Sequence, residues 1–337
     1  MPRPLRCNQV RPLEIPLYHT MSRCTRKMRL TDDPKRKDFM LNWLKTLHGV
    51  FAVEVCRYAL MGNHFHLVLR INVQMAKDWT DREVVERWVR LHPPRDAGYR
   101  PLPEADLDMW IENQSHIPEF VAKKRRQLAD LGQFMKDFKQ RVAEVFNQAD
   151  QATGAFWEGR YTCVPLESES HILAGMVYVD LNPHAARLCD KPEDDPFTSL
   201  HESVKSREKE RVERQKRHLP AAEKVAIRPL YMAQVSAEAA RGHDPLKNPR
   251  LQDCVPEAER HAWTVPVGQT ATHARKGLFT ALMLEDYLRL VDFIARKMRE
   301  GKATLAAGAA DILERTTQPR HWLTEIAGWI SGEWAAA

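Results

Sequence analysis

Residues 50–71, VFAVEVCRYALMGNHFHLVLRI, constrain the fold more than any other stretch. Two runs rich in β-branched and aromatic residues flank Gly62-Asn63, a dipeptide suited to a tight turn, so the stretch predicts an antiparallel hairpin. Alternation along the second run puts His64, His66, Val68 and Arg70 on one face, and Phe65, Leu67, Leu69 and Ile71 on the other. The apolar set belongs to the core. Both imidazoles then stand together on the opposite surface, as two ligands of one metal ion would. An HxH triplet also arises as ordinary strand packing, and a metal centre needs at least one more ligand and an open position.

The flanking sequence extends the hairpin into a fold. IPLYHTMSR (15–23) reads as a strand. Asp33 can cap a helix that has Pro34 in its first turn, Met40, Trp43, Leu44 and Leu47 recurring at helical spacing, and Gly49 as its stop. Strand, helix and hairpin in this order are the front half of a ferredoxin-like sandwich. Residues 73–118 read as an insertion, with a short helix over DREVVERWVRL and turn chemistry in HPPRDAGYRPLP. One long helix is expected from about 119 to 148, with Phe120, Leu128, Leu131, Phe134, Phe138, Val142 and Val145 as its buried stripe. Residues 154–166 read as a loop with some strand character, and 168–183 as a helix closed by a proline.

Beyond about residue 203 the composition shifts. Residues 205–217 hold seven bases, three acids and one apolar residue, which is the make-up of a linker or a solvated helix. The expected class is therefore α+β: a ferredoxin-like antiparallel sheet with helices on one face, plus a mostly helical carboxyl-terminal extension. The domain over 1–203 is followed by a charged linker over 204–225. The extension over 226–337 has helices at LEDYLRLVDFIARKMREG and PRHWLTEIAGWISGEW.

Composition narrows the setting. Six cysteines without a CxxC pair argue against a zinc ribbon or a disulfide framework and fit a reducing cytoplasm. No run has the length and purity of a membrane span, and the first residues lack a signal-peptide core. The net charge of +6 leans towards polyanionic partners.

The helix at 168–183 carries further candidates. Ile172, Leu173, Met176, Val177 and Val179 form an apolar arc, and Tyr178 and Asn182, one turn apart, point away from it. Ala174 and Gly175 beside them leave room around the phenol. A tyrosine with a carboxamide at i+4 suits a nucleophile and an oxygen ligand. It equally suits a half-buried tyrosine and a helix-stop Asn-Pro, since Pro183 disfavours helical geometry at Asn182.

YHTMSR, YALMGNHFHLVL, FWEGRY and MVYVDLNP, in this order and spacing, resemble the single-tyrosine HUH transposases, most closely the REP-associated tyrosine transposases and their longer relatives. The resemblance covers about residues 13–200, interrupted by 73–118, and 281–334 is similar to the extension of the long-form members. Where the family usually has a proline, this chain has Gly62, which should alter the turn and leave the ligands in place. The resemblance implies that His64, His66 and Asn182 hold a divalent cation and that Tyr178 is the catalytic nucleophile. Imidazole and amide ligands suit Mn²⁺ comfortably, whereas Mg²⁺ prefers oxygen. The implied activity is metal-dependent cleavage and strand transfer of single-stranded DNA through a 5′-phosphotyrosine. It would act on palindromic, hairpin-forming sequences, at the nucleoid, as a monomer or homodimer. A phenol titrates ordinarily near ~10, so such a nucleophile needs help at neutral pH.

DNA contacts are expected from Lys136, Lys139 and Arg141 on the basic helix, and from Trp157, Arg160 and Tyr161 in FWEGRY, whose rings would stack bases. Core packing is the competing account of Trp157, and a solvated surface that of the bases. Two other functions compete: a non-catalytic nucleic-acid-binding regulator derived from a transposase, and an RNA-binding ferredoxin-like module with packed histidines. The latter lacks the aromatic stacking strand of such modules.

Overall fold

The computed structural model describes residues 10–13, 16–206, 263–268, 275–280 and 282–297. Four strands, β1 (Leu17–Arg23), β2 (Val53–Leu60), β3 (His64–Ile71) and β4 (Thr162–Pro165), form one antiparallel sheet in the order β2-β3-β1-β4. Helix α1 (Pro34–Val50) links β1 to β2. It starts where the Asp33 carboxylate accepts the Lys35 N–H at 2.9 Å, and Gly49 lies inside its last turn instead of ending it. The β2–β3 hairpin closes when the Met61 N–H donates to the His64 carbonyl at 2.9 Å.

Gly62 in that turn has a spatial reason. A Cβ there would stand 2.5 Å from Asp32 Oδ1, and Arg29 grips that carboxylate through Nε at 2.7 Å and Nη2 at 2.9 Å. Glycine makes room for the ion pair beside the turn.

Between β3 and β4 lie α2 (Val73–Asp78), α3 (Asp81–Leu91), α4 (Glu104–Ser115), α5 (Pro118–Leu128) and α6 (Leu131–Ala149). Thr80 and Glu83 form a capping box at the start of α3. The single helix expected over 119–148 is in fact α5 and α6. The chain breaks at Ala129-Asp130, where the Asp130 carboxylate accepts the Gln133 N–H at 2.6 Å and restarts the helix. A short acidic side chain competes for backbone donors in this way wherever it interrupts a helical run.

On one face of the sheet Tyr18, Phe65, Leu67 and Leu69 share a core with Met40, Trp43 and Leu44 of α1 and Phe134, Phe138 and Val142 of α6. This is the ferredoxin-like α+β arrangement expected from the sequence, but the expected confinement of helices to one face does not hold. The other face carries a second layer: Leu17, Ala59 and Val68 pack against Leu173, Met176, Val177 and Leu181 of α7 (Glu169–Ala185). Helix α8 (Leu284–Arg296) packs on α7 in turn, while the Val265 N–H donates to the Val55 carbonyl of β2 at 2.9 Å, and Val265, Val267 and Phe279 join the same core. Buried Glu54 anchors this segment, receiving Arg70 Nε at 2.6 Å and Arg275 Nη1 at 3.2 Å. A helical segment over 199–206 runs into the expected linker; the remainder of that linker and the expected helix at 319–334 lie outside the described residues. Among the described residues no helix is long and apolar enough to cross a membrane.

Candidate active site

The register of β1 against β3 builds the site. Arg23 pairs with His64, Met21 with His66 and His19 with Val68, and directly paired residues share a face. Three histidines thus meet on one surface. His19 Nε2 lies 3.0 Å from His66 Nδ1, with the two rings stacked at a centroid distance of 5.2 Å. The His64 and His66 rings stand perpendicular at 5.0 Å. His64 Nδ1 lies 2.6 Å from Asn63 Oδ1; an amide oxygen only accepts, so the His64 proton sits on Nδ1 and Nε2 keeps a lone pair.

Burial sets the charge of these rings. It lowers the pKa of His19 to about 4. His64 is also held at about 4, by burial and then by the Arg23 charge, against a hydrogen bond with Asn182 that works the other way. His66 lies well below its ordinary range through burial, helped by His19, His64 and Arg23. At neutral pH all three imidazoles are uncharged.

Helix α7 brings the remaining groups. Ser168 caps it by accepting the His171 N–H at 3.2 Å. The helix expected to close at Pro183 continues through it to Ala185, and the Ala186 N–H still reaches the Asn182 carbonyl at 3.0 Å. So close to the end, the proline removes one donor without unwinding the last turn. The i,i+4 relation therefore holds. Tyr178 lies edge-on to His19 at 5.7 Å and to His66 at 5.4 Å, and Asn182 lies near enough to His64 to act on its charge. The half-buried Tyr178 ring is turned towards His19 and His66 of the sheet, and Asp180, Leu181 and His184 are buried as well as the apolar arc. Gly175 does not make room for the phenol: a Cβ there would lie 3.3 Å from Leu166 Cδ1. One chain supplies every group of the cluster.

The back of α7 is pinned. Asp180 accepts from Ser199 Oγ at 2.6 Å and Tyr287 Oη at 2.6 Å, and pairs with Arg57 Nε at 3.2 Å, all in buried surroundings. It precedes Asn182 by two residues, so this anchor and the active face are set by the same two turns.

The expected DNA-contacting residues divide. Trp157 and Tyr161 are buried, which corrects the expectation of exposed stacking rings. The Trp157 indole donates to the Lys139 carbonyl at 2.9 Å and stands edge-on to Phe65 at 5.4 Å. It was drawn inward because 156–158 bonds along the end of β1, leaving a large ring over the core side. Lys136 and Arg141 are exposed, and Lys139 Nζ donates to the Gly159 carbonyl at 2.6 Å. All three belong to α6, on the sheet face opposite the histidines, and so do not border the cluster. Arg160 is exposed just before β4. Conversely, His19 and Arg23 join the site without having been singled out. Both lie in YHTMSR at alternate positions, a signal that only the β1–β3 register makes readable.

Among the described residues no group of three or more His, Cys, Asp and Glu can hold a metal ion. The donors on offer are instead two imidazoles and an amide, His64, His66 and Asn182. His64 is held through Nδ1 with Nε2 bare, and His66 is held through Nδ1 by His19. When the shared proton sits on His66, both rings present a neutral Nε2, the form in which imidazole ligates a metal. The set fits a divalent cation tolerant of nitrogen, and better Mn²⁺ than Mg²⁺.

No family model and no curated protein matches the chain. Among solved structures, a REP-associated tyrosine transposase bound to a REP hairpin aligns with 67% of this chain and 94% of its own, at 12% identity and a TM-score of 0.35. A superposition that loose decides neither mechanism nor substrate.

Proposed function

We propose that this chain is a transposase-type DNA strand transferase that cuts single-stranded, hairpin-forming DNA with Tyr178 as nucleophile. One observation carries the reading: Tyr178 and Asn182, a turn apart on α7, stand over the paired histidines of β3. The motif resemblance and the net charge of +6 support a nucleic-acid substrate.

Tyr178 Oη attacks the scissile phosphorus and releases its proton to solvent. The bond from phosphorus to the 3′ oxygen breaks, and that oxygen leaves with the electron pair and takes up a proton. The products are a 5′-phosphotyrosine and a 3′-hydroxyl, and attack by another 3′-hydroxyl reverses the chemistry on a new strand. One ester replaces another, so no nucleotide hydrolysis is needed. A divalent cation held by His64, His66 and Asn182 would polarise the phosphate. His19 keeps the His66 ring oriented. The Asp180 anchor holds α7 against rotation, which keeps the nucleophile within reach of its target. With one catalytic tyrosine per chain and a cluster complete in cis, a single protomer would perform cleavage and resealing in turn.

The test is to incubate labelled single-stranded palindromic oligonucleotides with the protein and Mn²⁺ and resolve the products on a denaturing gel. A covalent protein–DNA band is expected, lost in Tyr178→Phe and with EDTA. A band that survives Tyr178→Phe overturns the nucleophile. DNA binding without any adduct, across many substrates, favours the non-catalytic regulator instead.

A further inference from the structure

At the histidine end of the sheet face under α7 stands a permanently charged group, Arg23, while the charges at its other end, Arg57 and Arg70, are held by Asp180 and Glu54. Arg23 ends β1 and pairs directly with His64, so the two side chains leave the sheet on the same side at neighbouring positions. Its backbone is held on both sides: the Cys24 N–H donates to the Asn63 carbonyl at 2.8 Å, and the Arg23 carbonyl accepts from the Glu158 N–H at 2.9 Å. The guanidinium is half-buried and makes no hydrogen bond or ion pair among the described residues. Elsewhere on the surface Arg29, Arg36 and Arg82 each hold a carboxylate. The β1–β3 register sets Arg23 beside His64, one of the histidine pair over which Tyr178 of α7 also stands.

The cluster is also asymmetric. His19 and His66 are buried, whereas Arg23, Asn63, His64, Tyr178 and Asn182 are only partly covered. The mouth therefore opens at the end where Arg23 stands.

We propose that Arg23 is a further catalytic residue, whose guanidinium grips the non-bridging oxygens of the scissile phosphate. The inference rests on the strand-transfer reading above. As the Tyr178 Oη–phosphorus bond forms and the bond to the 3′ oxygen breaks, negative charge accumulates on those oxygens. Among the described side chains of the cluster Arg23 is the one that is always cationic, so it is the protein's own fixed positive charge there. Its planar fork matches two phosphate oxygens, and it stays protonated throughout.

The experiment measures adduct formation by the wild-type chain, Arg23→Gln and Arg23→Lys on two oligonucleotides. One has an ordinary scissile phosphodiester; the other has an uncharged methylphosphonate at that linkage. On the phosphodiester, Arg23→Gln should be slower by roughly 10²-fold or more, the usual loss when one transition-state donor is removed. Arg23→Lys should fall between. On the methylphosphonate, which is uncharged before attack and offers one non-bridging oxygen instead of two, the gap between wild type and Arg23→Gln should shrink to about tenfold or less. An Arg23→Gln chain equal to wild type on the phosphodiester overturns the assignment, and so does one equally impaired on both substrates, as a positional or folding defect would be. No adduct from the wild-type chain on either substrate overturns the strand-transfer reading and this inference with it.

Discussion

His19 on β1 and His66 on β3 meet through a buried contact of 3.0 Å between Nε2 and Nδ1. The contact decides which nitrogen of His66 faces the site. With the proton on His66 Nδ1, His19 accepts, and His66 Nε2 is bare. Replacing His19 by Gln leaves an amide oxygen near the place of Nε2, while Leu leaves nothing that accepts. Calorimetric titration with Mn²⁺ should show His19→Gln close to wild type and His19→Leu weaker by roughly 10- to 100-fold, the usual cost of losing a ligand's outer partner. Equal affinity in the two variants would remove His19 from any orienting role.

Acid should weaken the fold through the same rings. His19 is held at about 4 against an ordinary 6.5, and burial also holds His66 well below that ordinary value. Below pH 6.5 the unfolded chain binds protons that these buried rings refuse. Their contribution to stability is complete above that pH and declines as pH falls towards 4, by roughly 1.4 kcal/mol per pH unit for each ring. Urea midpoints at pH 7.5 and pH 5 should therefore differ, and His19→Gln should reduce the difference. A pH dependence unaltered by that substitution would contradict the account.

The anchor behind α7 gives a graded pair of losses. Tyr287→Phe removes one 2.6 Å hydrogen bond to Asp180 and should cost about 1–3 kcal/mol. Asp180→Asn leaves the buried Arg57 guanidinium without a counter-charge and should cost about 3–5 kcal/mol. Urea unfolding monitored by circular dichroism reads both. The order of the two losses is the decisive point, and a reversed order would mean that the ion pair is not what holds the helix.

At the hairpin turn, Gly62→Ala brings a Cβ against the Asp32 carboxylate. A cost of about 1 kcal/mol is expected in the wild-type background and close to none in an Asp32→Ala background. The double-mutant cycle isolates this coupling from any general effect on the turn.

Local chemistry made much of this molecule legible before any coordinates. Alternation in HFHLVLRI separates the histidines from the core, Asp33-Pro34 starts α1, and the spacing of Tyr178 and Asn182 puts both on one side of α7. Each of these depends on neighbours within a few residues, where strand and helix periods are short and strict.

Other features depended on long-range pairing. Which residue of β1 lies beside His64 is a question of register, and only the assembled sheet answers it by placing Arg23 there and His19 against His66. Trp157 and Tyr161 look like exposed rings in a polar loop, yet the bonds of that loop to the end of β1 carry them inward. The apolar arc of α7 marks one buried side, while the helix is covered on others by residues more than eighty positions downstream. A residue's nearest neighbours along the chain determine its conformation and the direction of its side chain. What that side chain meets is decided by strands and helices far away in sequence, and the chemistry of this site lies in those meetings.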